Sequence, residues 1–187
     1  MKHTLSTKRI VLTGLLAALT VAGSAIRITV PIDIAGTSSF HLGNILCALS
    51  GILLGPWLGG LAAGLGSAIY DMFNPLYISE AWMTFLMKGL YGLAAGLVIR
   101  WGCKPWGYPR ALVATVAGAI TYAALYLAKS FFYSGMLIHG LSADAALITV
   151  VQKLPATAFN AAVAIIAAPL LAVSIRKGLQ SSHLTLE

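Results

Sequence analysis

The sequence predicts an all-α membrane protein of six transmembrane helices with both ends in the cytoplasm, and three observations predict it. Of 187 residues, 59% are hydrophobic and only 9% are charged, with a mean hydropathy of +0.88, far from the globular average. The apolar residues fall into runs that approach or exceed the ~20 helical residues needed to cross a bilayer core of ~30 Å. Eight of the twelve basic residues, Lys2, Lys8, Arg9, Arg100, Lys104, Arg110, Arg176 and Lys177, stand at the edges of those runs, where Lys and Arg mark the cytoplasmic side. No polar stretch exceeds a loop, so residues 1–187 read as a single integral membrane domain with no room for a soluble catalytic unit.

The first span, about 10 to 27, is rich in Ala and Gly and follows Lys2, Lys8 and Arg9. A basic start and an apolar run ending Ala22-Gly23-Ser24-Ala25 imitate a secretory signal, but an uncleaved span fits the charge distribution. Arg27 to Ser39 reads as a polar loop containing Pro31, Asp33 and Gly36. The uncharged run from Leu42 to Tyr70, interrupted at Gly55-Pro56, suits one long helix or two short ones. A single span would put Arg100, Lys104, Arg110, Arg176 and Lys177 outside, against the positive-inside tendency. A tight cytoplasmic turn at Leu54 to Trp57 brings all eight edge charges inside, so spans of about 40 to 54 and 57 to 73 are expected.

Spans of about 80 to 100, 111 to 135 and 146 to 175 complete the set, and Asp33, Asp71, Glu80 and Asp144 gather at the outer face. The last is longer than the bilayer needs, and Pro155 and Pro169 are expected to kink or segment it. Small residues recur at four-residue spacing, as Gly14, Ala18 and Ala22, Gly60 and Gly64, and Gly92 and Gly96. In lipid such stripes let helix backbones approach closely. Those of the third and fourth spans read as internal packing, whereas the first suits packing or a separate subunit.

A net charge of +7 is absorbed by topology, so no nucleic-acid partner is expected. Cys47 and Cys103 have no metal or redox spacing, and no cofactor is expected. There is no phosphate-cradling G-x-x-x-x-G-K-[ST] loop, no H-E-x-x-H and no G-x-S-x-G, so the chain is not read as an enzyme and any ATP hydrolysis would belong to partners. His41 and His139 read as polar residues of the outer interface.

Four basic residues remain: Arg27, Lys88, Lys129 and Lys153, all in the outer half. At 1.5 Å per residue Lys88 lies roughly 12 Å below the outer start of its span, with Lys153 about as deep. A charged side chain there costs at least ~2.5 kcal/mol on insertion scales, and by default it marks a binding site or an ion pair. Asp71 is expected to hold one of these two lysines, leaving at least one cation to favour an anionic or acceptor-rich ligand. Arg27 is most simply an interfacial anchor, and Lys129 can snorkel along its own stem. Asn44, Asn74, Tyr77, Trp82, Tyr91, Tyr122, Tyr126, Gln152 and Asn160 surround them, the mixture of aromatic walls and few polar groups that small-molecule sites use. Tyr77 and Trp82 equally suit an interfacial aromatic belt.

These features resemble the substrate-capture (S) components of energy-coupling factor (ECF) vitamin transporters, in particular the riboflavin-type group. The likeness rests on FHLGN opening the second span, LLGPWLGGLAAGLGSAIYDMFNP across the turn and third span, and KGLYGLAAGL in the fourth. It covers nearly the whole chain and is strongest from Phe40 to Leu97.

The resemblance implies a six-helix protein of the bacterial cell membrane that binds a vitamin or precursor from outside, closed over by the loop between spans 1 and 2. It further implies docking on a membrane coupling subunit with two cytoplasmic ATPase subunits, through small residues of helix 1 at A-x-x-x-A spacing. Ala18 and Ala22 match that spacing, with Gly14 one turn earlier, and Lys153 resembles the ligand-contacting polar residues of the sixth helix. Riboflavin is neutral, whereas the surplus of outer-half lysines suits a carboxylate or phosphate.

The expected function is thus vitamin capture for an ATP-driven importer, with Asn44, Asp71, Asn74, Lys88, Lys129, Lys153 and Asn160 lining the site and Thr29 to Ser39 as its lid. The competing expectation is a self-sufficient ion-coupled carrier with Asp71 and Lys88 as a titrating pair, which lacks a clear inverted repeat. A membrane-embedded enzyme ranks last.

Overall fold

The computed structural model describes residues 6–31, 37–101 and 106–181. Lys2, Asp33, Gly36, Cys103, Lys104 and the middle of the expected lid lie outside the described residues. The chain runs α1 (Thr7–Ala25), β1 (Arg27–Pro31), β2 (Thr37–His41), α2 (Gly43–Leu54), α3 (Pro56–Met72), a 3-10 turn (Ile78–Glu80), α4 (Ala81–Arg100), α5 (Tyr108–Lys129), a π-helical segment (Ser130–Ile138) and α6 (Ala143–Ser181).

The expected polar loop after the first span is in fact an antiparallel strand pair, with Arg27 opposite His41, Thr29 opposite Ser39 and Pro31 opposite Thr37. The β-branched run Ile28-Thr29-Val30 favours extended backbone, and the Thr29 and Ser39 hydroxyls meet across the strands at 3.4 Å. The chain is therefore helical with one small sheet at its rim. Among the described residues, four helical stretches are long and apolar enough to cross a membrane: Thr7–Ala25, Ile78–Arg100, Tyr108–Ile138 and Ala143–Ser181. At 1.5 Å per residue α2 and α3 rise only about 18 and 26 Å.

The break between α2 and α3 is made by Gly55, whose φ of 83° lies in the left-handed region, followed by Pro56 in the first turn of α3. A Cβ on Gly55 would stand 2.5 Å from the Arg100 side chain, and Arg9 donates to the Leu54 carbonyl at 3.3 Å. Basic residues of α1 and α4 thus converge on this turn.

Glycine sets how closely the inner helices meet. A Cβ on Gly92 of α4 would come within 2.7 Å of the Gly59 carbonyl oxygen in α3, and one on Gly51 of α2 within 2.3 Å of the Gly92 oxygen. Backbone lies directly against backbone, the arrangement that small residues permit where lipid offers no hydrophobic drive. Gly60 and Gly64 of α3 make equally close approaches, to Gly89 and Phe85 of α4.

The core around this junction includes Leu49, Ile52, Ala62, Ala95 and Ile99. Leu15, Ile120 and Ile166 are among the large apolar residues left on the outer surface. Pro155 and Pro169 do not segment α6, which runs unbroken for 39 residues.

Candidate functional site

At the end of the bundle opposite the Gly55 turn, the strand pair overhangs a cavity of about 380 Å³, lined by residues of all the surrounding elements. Two contacts tie β2 to the bundle. The Tyr77 hydroxyl is 3.0 Å from that of Thr37 and 2.9 Å from that of Ser39. Asn160 of α6 donates through Nδ2 to the Ser39 carbonyl at 2.8 Å and accepts through Oδ1 from the His41 backbone N–H at 2.9 Å. Paired extended backbone offers its outer N–H and C=O groups to such a clasp.

Among the described residues, four cations line the cavity, Arg27, Lys88, Lys129 and Lys153, with two carboxylates, Asp71 and Glu80. Arg27 takes Asp71 at 3.9 Å and stands 4.6 and 4.7 Å from the ring centroids of Tyr70 and Tyr77. Lys129 takes Glu80, whose other oxygen accepts from the Ser134 hydroxyl of the π segment at 3.3 Å. Asp71 therefore pairs with Arg27 rather than with a lysine. The strand pair makes this possible, by turning Arg27 from the end of α1 toward the end of α3.

Lys88 and Lys153 have no carboxylate within ion-pair distance among the described residues, yet they are only 4% and 5% exposed. Lys88 donates to the Asn44 side-chain oxygen and lies 3.8 Å from the Tyr122 ring centroid. Lys153 donates to the Ser130 hydroxyl at 3.4 Å and lies 5.7 Å from the Tyr126 centroid. The rings form one ladder: Tyr91 stacks on Tyr122 at 6.0 Å, and Tyr122 on Tyr126 at 5.7 Å.

Of the residues expected at the site, Asp71, Lys88, Lys129, Lys153 and Asn160 line the cavity. Asn44 is buried behind it and holds Lys88. Asn74 is not on the wall; its side chain accepts from the Leu76 backbone N–H at 3.1 Å and donates to Tyr70 at 3.3 Å, shaping the turn after α3.

Arg27 and Tyr77, read first as an interfacial anchor and a belt residue, line the wall, as do Glu80, His41, Thr84 and Ser134, which were not among those expected. His41 ends β2, outside the helices. Burial first, then the charges of Lys88 and Arg27, holds its imidazole well below the ordinary range, so the ring is neutral at pH 7. Its Nδ1 is buried without a hydrogen-bond partner among the described residues.

A cavity of this size beneath a strand pair, in a chain with four described helical stretches long and apolar enough to cross a membrane, has the form of a small-molecule site. Residues 4–177 match the family of ECF-type riboflavin transporter S components, and the chain belongs to that family. Its members are the substrate-binding subunits of transporters and not enzymes, which makes this a multi-pass membrane protein of transport.

The chain is also 33% identical over 119 residues to an uncharacterized protein in the gap 3′ region of Pyrococcus woesei, an alignment covering 63% of this chain and 74% of that one. It is 34% identical over 95 residues to a UPF0397 protein of Streptococcus gordonii, covering 51% of this chain and 48% of that protein, about half its length.

Proposed function

We propose that this chain is the capture subunit of an ATP-driven importer in a bacterial cell membrane, taking a vitamin-sized molecule from outside into the cavity beneath the strand pair. The observation that carries this reading is the cavity itself: about 380 Å³, within the range of small-molecule sites, at the end away from the basic residues that converge on Gly55. In this reading α1 to α6 all cross the membrane, α2 and α3 as a short pair joined by a cytoplasmic turn, with both termini inside. The strand pair is the lid. Lys88 and Lys153 supply positive potential, Lys129 is paired with Glu80, and Asp71 fixes Arg27 at the rim.

Delivery then needs a membrane coupling subunit and two cytoplasmic ATPase subunits, since nothing in this chain binds a nucleotide by a recognisable motif. Gly14, Ala18 and Ala22 all lie on the exposed side of α1. A Cβ on Gly14 would meet nothing within 4 Å. An open small-residue face on a peripheral helix suits docking against another subunit. The ion-coupled carrier loses its motivating pair, because Asp71 is held by Arg27.

The test is binding and uptake by the purified chain. One ligand per chain should bind in detergent without ATP, and liposomes should accumulate it only when the coupling and ATPase subunits are added. Uptake by the chain alone under a pH gradient would replace this reading with the carrier.

A further inference from the structure

We infer that the molecule captured in this cavity is an organic anion, carrying a carboxylate or phosphate that is received by Lys88 and Lys153. The inference rests on the capture reading and names its substrate class. It comes from matching charges around one wall. Among the described residues, four cations and two carboxylates face the cavity, and the two carboxylates are taken by Arg27 and Lys129, at the rim. The two cations left over are the ones most deeply placed in α4 and α6, only 4% and 5% exposed.

Their direct contacts among the described residues are neutral. Lys88 has the Asn44 amide and the face of Tyr122; Lys153 has the Ser130 hydroxyl and, farther off, the face of Tyr126. Amide, hydroxyl and ring quadrupole orient an ammonium group but cancel none of its charge. A buried cation without a counter-charge is strongly unfavourable. Two of them against successive rungs of one tyrosine ladder, both on the wall of one cavity, make a place preset for negative charge. Were the ligand neutral, the same cavity would be better served by uncharged donors, and the lysines would remain a standing destabilisation.

Pairs that share a scaffold and differ in whether it carries an anionic group test this on the full chain in detergent at pH 7: nicotinate and nicotinamide, pantothenate and pantothenol, riboflavin 5′-phosphate and riboflavin. Binding is read by titration calorimetry and by the rise in melting temperature. In the pair whose scaffold fits, the acid should bind about tenfold or more tighter than its neutral twin, the scale of one charge-assisted hydrogen bond. Lys88→Met and Lys153→Met should each lower that preference, while Lys8→Met keeps it.

A second measurement needs no ligand. Lys153→Met should raise the melting temperature of the ligand-free chain, because removing a buried charge that has no direct ion-pair partner among the described residues outweighs the smaller cost of leaving the buried Ser130 hydroxyl without that contact. A neutral twin that binds as well as its acid, or a Lys153→Met chain that melts lower without ligand, overturns the inference while leaving capture intact. Failure of every molecule to bind counts against capture itself and takes the inference with it.

Discussion

Asn160 was expected to touch ligand because an amide inside a span needs a partner. The structure supplies that partner from the strand pair: one amide bridges the Ser39 carbonyl and the His41 N–H, across more than a hundred residues of sequence. No spacing argument could place that contact, because it depends on strands that read as loop. Asn160→Leu removes both bonds and leaves two half-buried backbone groups unpaired, each costing less than the ~1–3 kcal/mol of a fully buried one. The expected outcome is faster ligand release by roughly tenfold or more, measured by stopped-flow dissociation, with Tyr77→Phe giving a smaller effect in the same direction.

His41 adds a pH dependence of defined sign. Its folded value lies below the ordinary 6.5, so below that pH the unfolded chain binds the proton more readily. Its contribution to stability is thus full above 6.5 and is lost as pH falls further. Melting temperature should drop on acidification from about pH 6.5 to 5, and His41→Gln should flatten that slope.

At the scale of elements, the four-residue stripes were legible as packing surfaces, and the structure divides them by what they face. Gly92 is pressed against the Gly59 carbonyl, whereas Gly14 meets nothing within 4 Å. Gly92→Ala should therefore lower stability in detergent by about 1–3 kcal/mol, as overpacking does, and Gly14→Ala should leave it unchanged. Gly14→Leu should go further: ligand binding by the isolated chain intact, but uptake lost when the coupling and ATPase subunits are present. Equal loss of binding in Gly14→Leu would place the stripe inside the fold rather than at a partner.

The strand pair was less legible, although Ile28-Thr29-Val30 carried its signal, because a polar and proline-containing stretch between two apolar runs reads first as a loop. The π-helical segment had no sequence sign at all. It follows α5 without a break and presents Ser130 to Lys153 and Ser134 to Glu80, so its wide turn serves two charged groups at once.

For the whole molecule, what was legible was a helical membrane chain, since hydropathy is a property of the sequence summed over long windows. Pairing inside the cavity was not recoverable that way, because Arg27 reaches Asp71 only after the strand pair has turned the chain. The orientation of the ends is the remaining claim at this scale, and it makes one prediction. Arg9 and Arg100 converge on the turn at Gly55, and Arg176 meets Trp106 through its carbonyl and its ring at 4.7 Å. The turn at Leu76, with Tyr77 beside the cavity, lies at the opposite end.

If Lys and Arg keep the first end cytoplasmic, an impermeant maleimide should label Leu76→Cys in intact cells and Trp57→Cys only after permeabilisation, both residues being exposed. The background is controlled by Cys103→Ser, since Cys47 is buried. The reverse pattern would turn the cavity toward the cytoplasm, where a capture subunit for uptake could not use it.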